Sequence, residues 1–423
     1  MKTFMNFLLI VLLACVSQAA VAQGFNANGI SYRINNDGKS VAVAYTKEGF
    51  TGAVNIPAIV KFKGKTYSVT KIGKNAFMNC TGLTAIAIPN SVTTIDGCAF
   101  YECSGLTTVT IPNSVTTIGE RAFAGCSDLT ALTIGSSVTK IGGSAFANCR
   151  GLTAVAIPNS VTTIGESAFQ NCSGLTAVSI PNSVTTIGER AFAGCSGLTA
   201  LTIGRSVTKI GGRAFTYCRG LTSVIIPNSV TTIGDWVFES CNSLTSVTIG
   251  GSVTKIGCGA FAYCSGLTSI KVECGNTKYD SRNNCNAIIE TETSMLIAGC
   301  MSTIIPNSVK EIGDFAFYGC SGLTSLTIPN SVTTIGDCAF TWCSGLTTVT
   351  IPNSVTTIGG SAFCGCSDLT TVTIPSSVTK IGGGAFGRCS GLTAVTIGNP
   401  EAEIGDDAFD GTPWMERQLV REH

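Results

Sequence analysis

Histidine and cysteine decide most about the chemistry open to this 423-residue chain. The single histidine is His423, the last residue. A histidine base, a histidine metal ligand and a Ser-His or Cys-His pair all lose their central part. Carboxylate or lysine chemistry stays formally open, but only 12% of residues are charged, so few groups exist to build it. No nucleophile motif appears either. The chain reads as non-enzymatic, with no cofactor and no metal.

The 21 cysteines point elsewhere. Thirteen of them, from Cys80 to Cys264 and from Cys320 to Cys389, recur at one repeat position. In an exported protein cysteines usually pair. Stacked coils would put neighbouring Cα atoms about 4.8 Å apart, within disulfide range. Parallel Cβ vectors at that separation are nevertheless too wide to bridge. The column therefore reads as buried thiols serving as small hydrophobes. The off-column set, Cys98, Cys258, Cys338, Cys364, Cys274, Cys285 and Cys300, supplies the better bridge candidates. An even 23-residue spacing lacks the C-x-x-C pairs of zinc sites.

What positions these residues is a repeated phrase, close to L-T-x-V-x-I-P-x-S-V-T-x-I-G-x-x-A-F-x-x-C-S-G. It recurs 13 times, with its leucine column running from Leu83 to Leu267 and from Leu323 to Leu392. A fixed period of this size means a solenoid. In one unit, Leu175, Val178 and Ile180 point inward from a strand, and Pro181 ends it. Val184 and Ile187 face inward on the next side, and Gly188 allows a turn. Ala191, Phe192 and Cys195 fit one short helical turn that closes the coil. A lone unit cannot bury enough apolar surface to offset its ordering, so the units must stack. Net charge is +1 with no basic run, which gives no footprint for nucleic acid.

The N-terminus reads as an export signal. Met1-Lys2 opens it, Phe7 to Ala14 is apolar, and Ala20-Val21-Ala22 supplies a cleavage site before Gln23. The stretch is too short to span a membrane, and no transmembrane stretch follows. Leu12-Leu13-Ala14-Cys15 also loosely resembles a lipobox, which would anchor the chain at Cys15, although Leu13 fits that pattern poorly.

Six segments follow: the signal (1–22), an N-terminal β cap with a degenerate first repeat (23–70), regular repeats (71–270), an irregular island (271–305), further repeats (306–410) and a C-terminal cap or tail (411–423). Ile118 to Cys126 recurs as Ile187 to Cys195, and Ile141 to Asn159 nearly recurs as Ile210 to Asn228, so a three-repeat block was duplicated whole. The island breaks the period with a polar run, Tyr279 to Cys285, and a hairpin expected to protrude from the stack.

These columns resemble BspA-type (LRR class 5) bacterial surface proteins. The resemblance rests on the I-P-N-S-V-T-x-I-G columns, on Gly64-Lys65-Thr66-Tyr67 in the cap, and on Tyr279 to Ile288 in the island. It implies a right-handed leucine-rich-repeat solenoid, β-rich, with parallel sheets and short helical turns, located outside the cell or at its surface, outer-membrane association included. Some members of that family are adhesins for host matrix proteins or other cells. No shared catalytic site comes with it.

Three places could bind. The outward strand positions, including Thr108, Thr110, Ser223, Ile225, Lys271, Thr348 and Thr350, would form a concave face of Ala, Ser and Thr. Such residues also simply suit a solvated sheet. Tyr217, Tyr263, Trp342 and Trp236 could be rim anchors or tolerated variation at an edge. The island gathers Lys271, Tyr279, Asp280 and Arg282 in a chain with little charge, where a loop on a rigid scaffold could carry function. The reading that follows is a monomeric adhesin or interaction module for an extracellular protein or glycan. The alternative is a structural or antigenically variable coat without a defined ligand.

Overall fold

The computed structural model describes residues 24–46 and 49–421, with side chains to residue 418. The export-signal and Cys15 readings lie outside the described residues.

Each 23-residue unit contributes two strands where the alternation predicts one. Ala177–Ser179 is the expected strand. Its Val178 is buried, its flanking residues are exposed, and it pairs in parallel with Ala154–Ala156 and Ala200–Thr202. The second strand is Thr186–Ile187, paired with Thr163–Ile164 and Lys209–Ile210. Two β-branched residues suffice here because Ile187 is fully buried and its neighbours repeat it on both sides. This short ladder is the longer sheet. It runs through thirteen strands from the N-terminal cap to Lys255–Ile256, while the expected ladder breaks into sheets of two to four strands.

The closing side is not helical, contrary to the expected single helical turn. Ala191, Ala193 and Cys195 donate locally to Gly188, Arg190 and Phe192. Arg190, Phe192 and Gly194 instead donate to Gly212, Ala214 and Thr216 of the next coil. Alternate amides thus bind the neighbouring coil, which a continuous helix would forbid. Arg190 and Gly194 take the left-handed conformation that lets the chain alternate.

Repetition makes the core a set of ladders. Phe77 to Phe261 form a run of rings stacked about parallel, with neighbouring centroids 4.8 to 5.7 Å apart; Phe317 to Phe409 form a second. Each column thiol between Cys103 and Cys264 donates to a phenylalanine carbonyl of the preceding coil, as Cys195 does to Phe169 at 3.2 Å. Coil contact is close enough to demand glycine in the turn. A Cβ on Gly188 would lie 2.6 Å from the backbone carbon of Gly165.

The N-terminal cap covers one end of the stack. Ile30–Ile34 and Ser40–Val43 form a hairpin, preceded by the outermost strand Gly24–Ala27. Ile59–Phe62 and Lys65–Ile72 form another around Lys63-Gly64. Phe25 and Phe62 stack face to face at 4.2 Å. At the other end Pro413 opens a helix, Pro413–Arg421, which the sequence reading does not foresee. Thr412 caps it through its hydroxyl, and Trp414 meets Phe409 edge-on at 4.9 Å.

The island does not protrude. Met295–Ala298 pairs in parallel with Glu311–Ile312, and Ile288–Glu290 pairs with it on the other side. Together with Tyr279–Asp280 these strands start the second long sheet, of eight strands. The pattern Ile288-Ile289 and Leu296 buries residues in both directions. Ile288 and Cys300 join the core of the first array, and Ile289, Cys285 and Leu296 that of the second. The island is a splice between two arrays. Its hydrophobic residues, which a protruding hairpin would leave in water, are what draw it in.

Candidate binding surface

The outward strand positions all lie on one side of the stack. Thr108 and Thr110 are exposed and stand in register with Ala131 and Thr133. Thr348 and Thr350 are exposed opposite Ser325 and Thr327. Ser223 and Ile225 pair with Ser246 and Thr248, and Thr248 pairs in turn with Lys271. Ile225, Thr248 and Lys271 are therefore successive rungs of one column, and Lys271 forms an exposed ion pair with Glu273 at 3.1 Å.

The threonine flanking each strand has another role. Thr130 Oγ1 donates to the Thr107 carbonyl and Thr199 Oγ1 to that of Thr176. A matching ladder follows the second sheet, as when Thr185 Oγ1 reaches the Thr162 carbonyl. These hydroxyls tie coil to coil. The free hydroxyls of the face are those of Thr108, Thr110 and their column mates.

Where the first ladder ends at the I-P-N corners of the first repeats and of those after the island, the surface dips. One open groove of about 540 Å³ is lined by Ile86, Ala87, Asn90, Thr110, Asn113 and Thr133. A larger one, about 880 Å³, is lined by Ile304, Asn307, Thr327, Asn330, Thr350 and Asn353. Ile304 is 74% exposed. Sequence reasoning missed it because the period breaks just before it. Aligning Ile304-Ile305-Pro306 on Thr327-Ile328-Pro329 places Ile304 in the same outward column as Ile225, which is 70% exposed. Two isoleucines, Ile225 and Ile304, thus stand in water in this column, separated by the Thr248 and Lys271 rungs.

The island residues are placed differently from expectation. Tyr279 is only 5% exposed, and burial raises the pKa of its hydroxyl. It is a core residue and offers nothing to a ligand. Asp280 receives a two-pronged hydrogen bond from Arg282, at 2.7 and 2.8 Å, and that bond holds the guanidinium pKa up. Lys278 meets Glu290 at 2.8 Å. Hydrogen bonds from Lys278 and Thr293 hold Glu290 below its ordinary range. The island's charges neutralise one another within the splice, which is why they gather there.

The rim aromatics divide. All four adopt the left-handed conformation, and the rings of Trp236, Trp342 and Tyr263 each lie against a glycine of the next coil, Gly259, Gly365 and Gly319. Their faces are in use. Tyr217 faces Ser240 in its column, is 45% exposed, and has only Arg219 over its ring at 5.6 Å. Of the four, Tyr217 and Trp342, the latter 38% exposed, are the ones a ligand could reach.

The cysteines carry no site. Every described cysteine is a free thiol, the off-column candidates included. Cys285 and Cys300 are core residues. Cys258 and Cys274 are exposed, and Cys98, Cys338 and Cys364 are half-buried. From Cys103 to Cys264 and from Cys343 to Cys389 each Sγ is turned toward a phenylalanine carbonyl, and none of the column pairs as a disulfide. Burial pushes the thiols of Cys103 and Cys241 up to about 12, so they stay protonated. Among the described residues, no three His, Cys, Asp or Glu side chains gather to hold a metal ion. No described helix is long and apolar enough to cross a membrane.

The comparisons agree with this architecture. The family described as BspA type leucine rich repeat region matches residues 59–176, 164–289 and 297–415, in six copies. A leucine-rich repeat protein from Bacteroides ovatus has a similar solved structure, at 27% identity and a TM-score of 0.62, with 92% of each chain covered. A leucine rich cell surface protein from Faecalibacterium prausnitzii is similar at 28% identity and a TM-score of 0.59, covering 89% of this chain and 94% of that one. No curated protein matches the chain.

Proposed function

Because this chain belongs to the BspA-type leucine-rich repeat family, we propose that it is a non-enzymatic binding module, an adhesin that works outside the cell or at its surface. Its ligand is an extracellular protein or glycan. The cell-surface description of the F. prausnitzii relative supports the location. The export signal read at residues 1–22 supports it independently.

One observation carries the reading: Ile304 stands in water at the floor of the 880 Å³ groove, among hydroxyls and the carboxamides of Asn307, Asn330 and Asn353. Exposed apolar groups ringed by uncharged donors and acceptors suit a protein loop or the faces of a sugar. The rigid stack removes most of the ordering cost of presenting them.

The test is an array of immobilised matrix proteins, glycans and whole cells probed with the purified chain. Saturable binding that Ile304→Lys and Thr350→Arg each weaken tenfold or more, with Tm unchanged, supports the assignment. Binding that both variants leave intact removes the groove. A surface coat without a defined ligand is the second reading. It is favoured by the threonine ladders, whose hydroxyls serve the stack itself, and an array with no saturable binding would put it first.

A further inference from the structure

A net charge of +1 conceals a strong polarity along the stack. Residues 24–75 contain Arg33, Lys39, Lys47, Lys61, Lys63, Lys65, Lys71 and Lys74 against Asp37 and Glu48. The last coil, residues 398–412, contains Glu401, Glu403, Asp406, Asp407 and Asp410 and no basic residue. All five of those carboxylates are exposed. The basic hairpin lies at the very end of the molecule, because Phe62, between Lys61 and Lys63, stacks on Phe25 of the outermost strand.

Both ends also present unfinished sheet. On the Thr-Ile side of the coil, Gly24–Ala27 is the outer strand of the thirteen-stranded sheet and Glu403–Ile404 that of the eight-stranded sheet, and among the described residues each is paired on one edge only. Ile404 is 46% exposed, whereas Ile381, its counterpart one coil earlier, is fully buried. In internal coils Arg190, Phe192 and Gly194 donate to the next coil. Their counterparts Asp407, Phe409 and Gly411 have no backbone acceptor among the described residues. The C-terminal helix covers Phe409 through Trp414 and leaves the Glu403–Ile404 edge open. At the opposite end Ile59 is exposed beside the lysines.

We propose that the acidic C-terminal coil of one copy docks on the basic N-terminal cap of a second copy, head to tail. Glu403–Ile404 then lies along Gly24–Ala27, and the Thr-Ile sheet continues from one molecule into the next. The occupant is a second copy because the two ends match in three respects: opposite charge, an open strand edge on the same side of the coil, and an exposed isoleucine. Such an interface is heterologous, so it propagates into open chains and does not stop at a symmetric dimer. It depends on salt, since the charges are solvent-exposed. The monomer that the sequence suggests is the opposite outcome of the test below.

Sedimentation velocity of the purified chain tests it. At low salt the weight-average mass should more than double as concentration rises, and 0.5 M salt should return it to the monomer. Lys61→Glu/Lys63→Glu/Lys65→Glu and Glu401→Lys/Glu403→Lys/Asp406→Lys each reverse one end, far from the repeat core. Each should be monomeric alone, with circular dichroism unchanged. Mixed, they should restore association in alternating chains, because the two reversed ends carry opposite charge and so do the two unaltered ends. A monomer at every salt concentration overturns the proposal. So does a dimer that neither variant breaks, or a wild-type cap that binds vesicles containing anionic lipid while the chain stays monomeric.

Discussion

The amide of Tyr263 donates to the carbonyl of Tyr318 at 2.9 Å, and the two rings meet edge-on at 5.0 Å. Elsewhere this bond joins residues one coil apart, as from Tyr217 to Glu239. Along this side the coil after the island therefore rests directly on the coil before it, and the island is threaded in beside them. Its removal should be tolerated. Deleting Val272 to Ile304 joins Lys271 to Ile305-Pro306 and sets Ile256 and Ile312 at the standard 23-residue spacing. The variant is expected to unfold in one cooperative transition with unchanged circular dichroism per residue. A molten or aggregated product would mean that the splice is needed to register the two arrays.

Gly299 is the tightest point of that splice. A Cβ there would lie 2.1 Å from the ring of Phe317. Phe317 is buried in the second array, so the ring has no free direction to move. Gly299→Ala should cost about 1–3 kcal/mol through overpacking. Gly251→Ala, whose Cβ would find its nearest neighbour at 3.7 Å, serves as the control and should change Tm little. Thermal unfolding of the two variants checks the contrast.

How far the sequence could be read follows from which interactions repeat. The inward columns, Leu175, Val178, Ile187, Phe192 and Cys195, were legible because each faces copies of itself, and periodicity alone reveals that. The second ladder was hidden because a two-residue strand such as Thr186–Ile187 has no alternation to detect; only pairing on both sides makes it a strand. The island's place was hidden for a related reason. Leu296 fills the Ile312 column from outside the period, and ion pairs such as Asp280–Arg282 look from the sequence like a charged loop. Ile304 shared that fate, since its column is visible only once the break is closed.

Thiol accessibility should sort the cysteines as the burial does. Under native conditions a bulky thiol reagent should label Cys258 and Cys274 quickly and Cys98, Cys338 and Cys364 slowly. The column from Cys80 to Cys389 should react only on unfolding. Peptide mapping by mass spectrometry checks this. Rapid labelling of Cys172 or Cys195 in the folded chain would show that the coils breathe apart.

The same burial makes the fold sensitive to alkali. The thiols of Cys103, Cys241 and Cys320 are pushed up to about 12 in the folded chain, chiefly by desolvation, from an ordinary value of 9.0. The folded state therefore holds protons that the unfolded chain releases. Stability from this source is fully present below pH 9 and falls as pH rises toward the folded value, because the unfolded state then binds fewer protons. Each such thiol contributes a loss of about 1.4 kcal/mol per pH unit across that window. Tm should be nearly flat from pH 6 to 8 and should drop steeply between pH 9 and 11. Replacing Cys103 and Cys241 with alanine should lower Tm at pH 7 through lost packing, yet make the alkaline slope shallower. An unchanged slope in that double variant would show that these two thiols do not set the alkaline loss.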